Sequence, residues 1–182
     1  SVVYNYVENT WSTMTLARSS YADASTYDVP YATEYTATGT PSIENLSGAT
    51  NTFGASLYYA HEVGVNEVAL NGTVTAIPAF IQSGDFDLPT EGDGEYLLRV
   101  SRFLPDFKNL QGNAIVTIFL KNFPVDAGTS SQLGPFTINS STQKIDTRAR
   151  GRLANIKIQN TAANESWRFG TFRADVNQDG RR

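Results

Sequence analysis

The chain has 182 residues and a net charge of −4 at pH 7, and hydrophobic residues make up 40% of it. This length and apolar content suit one large β domain or two small ones. The absence of cysteine excludes disulfides, thiolate catalysis and cysteine-based metal sites. Charged residues make up 18%, below the roughly 25% of ordinary globular proteins, so the surface is easy to desolvate against other protein. The sequence shows no apolar run of membrane-spanning length and no lipidation motif.

Two short strands, residues 2–7 and 11–17, are the first predicted elements. Both are rich in the β-branched and aromatic residues that suit a pleated surface. Residues 8–10 predict a hairpin turn, because Asn9 tolerates positive φ. A Tyr-rich strand, a polar turn and a Thr-rich strand that begins at a Trp resemble part of a β-propeller blade.

The segment 20–51 differs from its surroundings. It is rich in Thr, Ser, Ala and Tyr and contains Pro30 and Pro41, so we predict an extended or irregular excursion here. The expected domains are therefore 1–54, with the hairpin and the excursion, and 55–182.

Strand patterns recur through the rest of the chain. They lie at residues 56–62, 74–82, 96–104, 115–123, 134–139, 143–150, 153–159 and 165–173. Their spacing predicts an antiparallel β-sandwich. Because no segment combines an apolar 3.6-residue period with caps at both ends, we predict an all-β fold with less than about a tenth helix.

Two strands near the C-terminus show the clearest alternation of faces. In the first, one face holds Ile145, Thr147, Ala149 and Gly151, and the other holds Lys144, Asp146, Arg148, Arg150 and Arg152. In the second, one face holds Ala154, Ile156 and Ile158, and the other holds Asn155, Lys157 and Gln159. The side chains predicted to meet in the core are Ile145, Ile156, Ile158, Trp167 and Phe169. A one-residue slip would bury the row of arginines, so the register is well specified.

Charge is distributed unevenly along the chain. Residues 1–143 hold 5 basic and 14 acidic side chains, a net of −9, whereas residues 144–182 hold 9 and 4, a net of +5. Two interpretations fit: the basic strands face solvent, or they meet the acidic part of another copy. For the second interpretation the candidate assembly contacts are Arg148, Arg150 and Arg152. The acidic balance of the whole chain disfavours nucleic-acid binding.

No arrangement of residues predicts a catalytic site. His61 is the only histidine, and on a strand it points away from its neighbour Glu62, so the two cannot form a base and its orienting carboxylate. We expect His61 to be a structural or surface histidine. Carboxylates are plentiful enough for a glycosidase pair, but nothing in the sequence selects two of them.

Two acidic segments resemble calcium sites in part. Residues 85–95 hold five carboxylates without a standard ligand spacing. Residues 175–180 match the first half of an EF-hand loop, yet the sequence has no Glu six residues after Gly180. We therefore expect a solvated loop and a polar C-terminal turn, with no metal and no cofactor.

Several segments resemble, in their order, the C-terminal region of tail hub or nozzle proteins at the head-to-tail junction of short-tailed bacteriophages. They are Tyr59-Ala-His-Glu62, residues 77–87 and 103–107, the Arg-Gly-Arg strand at 142–152, Ile156-Lys-Ile158, Trp167-Arg-Phe-Gly170, Arg173-Ala-Asp175 and Asp179-Gly-Arg-Arg182. The order of these segments carries the resemblance, since each motif alone is short.

The resemblance implies a structural component of the virion, a hub, nozzle or connector ring around the DNA channel, and no catalysis. The implied partners are identical copies in the ring and other tail or portal and adaptor proteins. The resemblance also implies that DNA passes nearby without specific binding, and it implies no membrane anchor. From the residues themselves, the alternative is a carbohydrate-binding β-sandwich whose sugar-stacking platform is Trp11, Trp167, Tyr58 and Tyr59, and a glycan hydrolase is a weaker third hypothesis.

Overall fold

The computed structural model describes residues 1–14, 18–36, 55–69, 71–88, 96–123 and 131–181. Every regular element in these ranges is a β-strand, so the predicted all-β fold is confirmed. The chain divides into two compact units, Ser1–Gly64 and Val65–Arg182.

A β-hairpin opens the first unit. Strands β1 (Val2–Asn5) and β2 (Thr10–Thr13) pair antiparallel with Tyr4 opposite Trp11. The side-chain oxygen of Asn5 accepts hydrogen bonds from the amides of Val7 and Glu8, at 3.0 and 3.2 Å, which turns the chain before the predicted position. The predicted hairpin is present with shorter strands, and residues 15–17 of the second predicted strand lie outside the described residues.

A second sheet of the first unit replaces part of the predicted excursion. Strands β3 (Ser20–Ala22), β4 (Tyr31–Thr36) and β5 (Ala55–Ala60) form it in the order β3-β4-β5. The segment 20–51, expected to be extended or irregular, therefore includes the paired strands β3 and β4, and Pro30 stands just before β4, where it removes no ladder hydrogen bond. Residues 37–51 lie outside the described residues. Pairing of β5 with β4 also explains why the unit extends to Gly64, beyond the expected boundary at residue 54.

The second unit is a β-sandwich with two smaller strand pairs. Its strands are β6 (Asn66–Val68), β7 (Val74–Ala76), β8 (Phe80–Gln82), β9 (Tyr96–Leu104), β10 (Phe107–Gln111), β11 (Ala114–Lys121), β12 (Ser131–Ile138), β13 (Ile145–Gly151), β14 (Leu153–Gln159), β15 (Ser166–Phe169) and β16 (Arg173–Arg181). One sheet has the order β12-β11-β14-β8 and the other β13-β9-β16, while β6 pairs with β7 and β10 with β15. All of these pairs are antiparallel, so the predicted sandwich is confirmed.

One continuous apolar core joins the two larger sheets. Val116, Ile118 and Ile156 supply it from the four-stranded sheet, and Val100 and Phe103 supply it from the three-stranded sheet. The predicted inward residues are borne out: Ile145, Ile156 and Ile158 lie in this core, and Trp167 and Phe169 pack half-buried against it. The inner faces of the two sheets therefore pack against each other, and the other face of each sheet points outward.

The alternation predicted for β13 is confirmed, since its inward and outward residues are buried and exposed in turn. In β14, Ala154, Ile156 and Ile158 are buried as predicted, and Asn155 on the opposite face is buried as well. Two side chains contact the Asn155 amide. It donates a hydrogen bond to Asp85, in the segment after β8, at 2.9 Å and accepts one from Gln82, in β8, at 3.2 Å.

The largest difference in the second unit concerns its last strand. Residues 175–180, expected to form a polar C-terminal turn, lie inside β16, so that expectation is wrong. Their polar side chains suit a strand because β16 pairs with β9 and sets Asp175 opposite Arg102. The predicted strand 74–82 is divided into β7 and β8, and 165–173 is divided between β15 and the start of β16.

Candidate functional site

The outer face of the β13-β9-β16 sheet carries two rows of charged side chains. In the first row Arg102 on β9 lies opposite Asp146 on β13 and Asp175 on β16. Its guanidinium forms salt bridges to both, at 3.1 and 3.5 Å, and Lys144 reaches Asp146 at 2.8 Å. Hydrogen bonds from Lys144 and then Arg102 hold the pKa of Asp146 below its usual value. Charge in this row is compensated within the sheet.

The second row is basic. Arg150 on β13, Arg99 on β9 and Asn177 on β16 stand at one level of the register. Arg150 reaches Asp179, with 2.8 Å from Nε to a carboxylate oxygen and 2.9 Å from Nη2 to the backbone carbonyl. Arg148 is exposed on the same face of β13, two residues before Arg150. Within the described residues neither Arg99 nor Arg148 has an ion-pair partner.

We call Arg99, Arg148 and Arg150 the arginine patch. Arg99 and Arg150 are directly opposed across neighbouring strands, where like charges repel and destabilise the sheet. Asn177, on the other side of Arg99, offers no negative charge. Within the described residues, two of the three positive charges of the patch, those of Arg99 and Arg148, therefore have no ion-pair partner, whereas the charges of the first row are compensated.

The structure brings together two of the three predicted contact arginines. Arg148 and Arg150 share the outer face, whereas Arg152 follows the end of β13, where the chain passes to β14 in the other sheet. The guanidinium carbon of Arg152 lies 5.9 Å from the ring centre of Phe123, away from the row. Arg99 takes the place that sequence reasoning gave to Arg152. Its outward position could be recognised from its apolar neighbours in β9, but its pairing with Arg150 depends on register.

Three tyrosines form a second exposed feature, on the β3-β4-β5 sheet. The rings of Tyr31 and Tyr58 stack at 4.9 Å with 9° between their planes, and Tyr27 meets Tyr31 edge-on at 5.2 Å. Tyr27 and Tyr58 remain 52% and 63% exposed. Desolvation, and then the neighbouring phenols of Tyr31 and Tyr27, raise the pKa of Tyr58. We call these residues the tyrosine cluster; it is a large aromatic area open to a ligand or a partner.

The opposite face of the same sheet holds a cation–π arrangement around Arg18. Its guanidinium lies 3.7 Å from the ring centre of Tyr59, pairs with Glu34 at 2.8 Å and donates from Nε to His61 Nε2 at 3.3 Å. The backbone amide of His61 also donates to the carbonyl of Pro30 at 2.8 Å. These contacts tie the end of β5 to the start of β4 and occupy the histidine nitrogen that a base would use.

The aromatic platform proposed from the sequence is not assembled as expected. Tyr58 and Tyr59 are consecutive in β5 and lie on opposite faces, so they cannot share a platform. Trp11 stacks on Tyr4 in the hairpin at 4.4 Å, and Trp167 packs edge-on against Phe107 in the second unit at 6.0 Å. Of the four, Tyr58 alone belongs to the tyrosine cluster.

The acidic segment 85–95 is described only in its first residues, and 89–95 lie outside the described residues. Asp85 pairs with Lys121 at 2.8 Å and accepts from Asn155. Hydrogen bonds from Lys121 and then Asn155 lower the pKa of Asp85. Across the described ranges, no group of three or more His, Asp or Glu side chains is placed to hold a metal ion.

Comparison with known proteins finds no family model that matches the chain and no curated protein that matches its sequence. The described part of the chain also contains no helix with the length and apolarity needed to cross a membrane.

Proposed function

We propose that this chain is a non-enzymatic structural subunit of a protein assembly, and that the assembly is the tail hub, nozzle or head-to-tail connector of a short-tailed bacteriophage virion. The observation that carries the proposal is the arginine patch, in which Arg99 and Arg148 have no ion-pair partner among the described residues. The ordered sequence resemblance supports the choice of assembly. In this proposal identical copies form a ring, and DNA passes through it without specific contacts.

The contacts of four acidic side chains support a structural role. Asp85, Asp106 and Glu34 are each engaged by a Lys or Arg side chain, and Glu165 accepts from the amides of Thr161 and Ala162 in its own turn. Acids used in this way fix loops and strand ends. A general acid or base instead needs a proton that it can exchange with a bound substrate.

The first test is composition of the particle. Mass spectrometry of purified virions should find peptides of this chain, and electron microscopy of the isolated protein or of tails should show rings. Absence from purified virions that encode the chain would refute the virion assignment. A chain that remains monomeric in its native assembly would refute the ring.

Carbohydrate binding is the second candidate, and the tyrosine cluster is the observation that favours it. The exposed Tyr58 ring offers an apolar face, and nearby phenols can donate hydrogen bonds to sugar hydroxyls. A glycan array separates the two candidates: specific binding that Tyr58→Ala removes supports the carbohydrate-binding module, and no binding to any glycan refutes it.

A further inference from the structure

We infer that the arginine patch is a docking site for the acidic, tyrosine-bearing end of the first unit of a neighbouring copy. This inference rests on the proposed assembly of identical copies and names the surfaces that meet. Arg99 and Arg148 are the residues of the patch that need a partner, because Arg150 already holds Asp179. The two surfaces differ, so the contact is head-to-tail, the kind that closes into a ring when the rotation permits.

The charge of the first unit makes it a suitable occupant. Residues 1–64 hold one basic and six acidic side chains, a net of −5. Its one Lys or Arg side chain, Arg18, is paired with Glu34. Asp28 and Glu62 are exposed, and within the described residues neither forms a salt bridge. The unit therefore presents negative charge that forms no salt bridge within the described residues.

These acids lie at the same end of the sheet as the tyrosine cluster. Asp28 directly follows Tyr27, and Glu62 directly follows His61, whose amide bonds to Pro30 just ahead of β4. Aromatic side chains at the centre of a contact, with charges around them, are the usual anatomy of a protein interface. The tyrosines supply apolar area, which exposed ion pairs alone could not replace because each contributes little.

The same chemistry already occurs inside the first unit. Arg18 covers the ring of Tyr59 at 3.7 Å while its guanidinium holds the Glu34 carboxylate at 2.8 Å. A planar guanidinium can bind a carboxylate through its edge and an aromatic ring through its face at the same time. Arg99 and Arg148 meeting Tyr58 and Asp28 of another copy would repeat this arrangement between chains.

The test is self-association of the full chain, measured by sedimentation velocity at low and moderate salt. The dissociation constant of the double variant Arg99→Glu/Arg148→Glu should be about ten times that of the wild type, since two attractions become two repulsions. Added salt should weaken the self-association of the wild type but not that of the variant, because it screens attractions in the first and repulsions in the second. Arg99→Gln/Arg148→Gln should show a smaller loss in the same direction, which separates lost attraction from added repulsion.

A matched control is present in the same unit. Lys108 on β10 and Arg168 on β15 are also exposed and directly opposed, so Lys108→Glu/Arg168→Glu makes the same change in net charge on another sheet. This control should associate as the wild type does. An equal loss in the control would show a net-charge effect and overturn the inference.

Mixing provides the decisive arm. A first-unit variant, Asp28→Arg/Glu62→Arg, should associate poorly alone but should bind the Arg99→Glu/Arg148→Glu variant, because the exchanged charges are again complementary. Assembly of the wild type with no effect of either double variant would overturn this contact and leave the proposed ring intact. Failure of the wild type to associate at any concentration would overturn both.

Discussion

Replacing Ile156 with Ala tests the register on which the description of the sandwich depends. Ile156 is 4% exposed and lies opposite Ile118 of β11, inside the core shared by the two sheets. The substitution removes three carbon atoms, worth about 0.8 kcal/mol each in transfer from water, and leaves a cavity. Together these give a loss of about 3 kcal/mol, within the roughly 2–5 kcal/mol found for such changes in cores.

Urea unfolding followed by tryptophan fluorescence measures this loss. Trp167 packs on Phe107 beside the core and reports on the second unit, while Trp11 is exposed in the hairpin and is best replaced by Phe in every variant. With a slope of about 2 kcal/mol/M, a loss of about 3 kcal/mol lowers the midpoint by about 1.5 M. Fluorescence of a single Trp in one unit also avoids treating the two units as one transition.

Two companion variants sharpen the result. Ile156→Val should cost about 0.5–1.5 kcal/mol, since it removes one carbon from the same site. Arg148→Ala, in β13 of the other sheet and on its exposed face, should stay within about 0.5 kcal/mol of the wild type. A loss below about 0.5 kcal/mol for Ile156→Ala would place this side chain outside the core and refute the register.

Two further predictions concern the segment that follows β8. Asp85→Asn should cost about 1 kcal/mol at neutral pH, because it weakens the contacts to Lys121 and Asn155, and this cost should disappear in acid. The pKa of Asp85 is lower in the folded state than in the unfolded state, where it is about 4. Its contribution to stability is therefore present above the unfolded-state pKa and is lost as the pH falls through the folded-state pKa. Urea midpoints of the wild type and the variant at several pH values measure this, and a cost independent of pH would contradict it. A chelator should leave the melting temperature unchanged, and a fall of many degrees would instead indicate that the segment 85–95 binds calcium.

Local pattern was enough to predict the residues whose environment is set by their own strand. The alternation of β13 and the inward positions of Ile156 and Ile158 follow from a period of two and one buried face. The burial of Asn155 could not be predicted, because it depends on Asp85, which is distant in sequence, and no local pattern records that contact.

The interacting surfaces depended on pairing between distant segments. Arg99 joins Arg150 only because β9 and β13 are neighbours in a particular register. The polar β16 was mistaken for a turn for the same reason: its outward side chains face the charged residues of β9, so polarity there does not indicate a loop. The tyrosine cluster depends on the pairing of β4 with β5, and the sequence alone predicted only that the segment containing β4 is extended or irregular.

The two rows on the outer sheet face suggest a substitution that separates folding from assembly. Asp175 compensates Arg102, whereas the corresponding neighbour of Arg99 is Asn177. Asn177→Asp would give Arg99 a carboxylate directly opposite, so the isolated protein should gain up to about 0.5 kcal/mol in stability. The same change should weaken self-association, because Arg99 no longer needs a carboxylate from another copy.

The control is Gln178→Glu, which adds an equal charge at the next position of β16, opposite Leu98 rather than Arg99. It should leave the stability and the self-association near the wild-type values. Urea unfolding and sedimentation velocity on the three proteins measure the two effects, and an Asn177→Asp protein that associates as tightly as the wild type would show that Arg99 is not a contact residue.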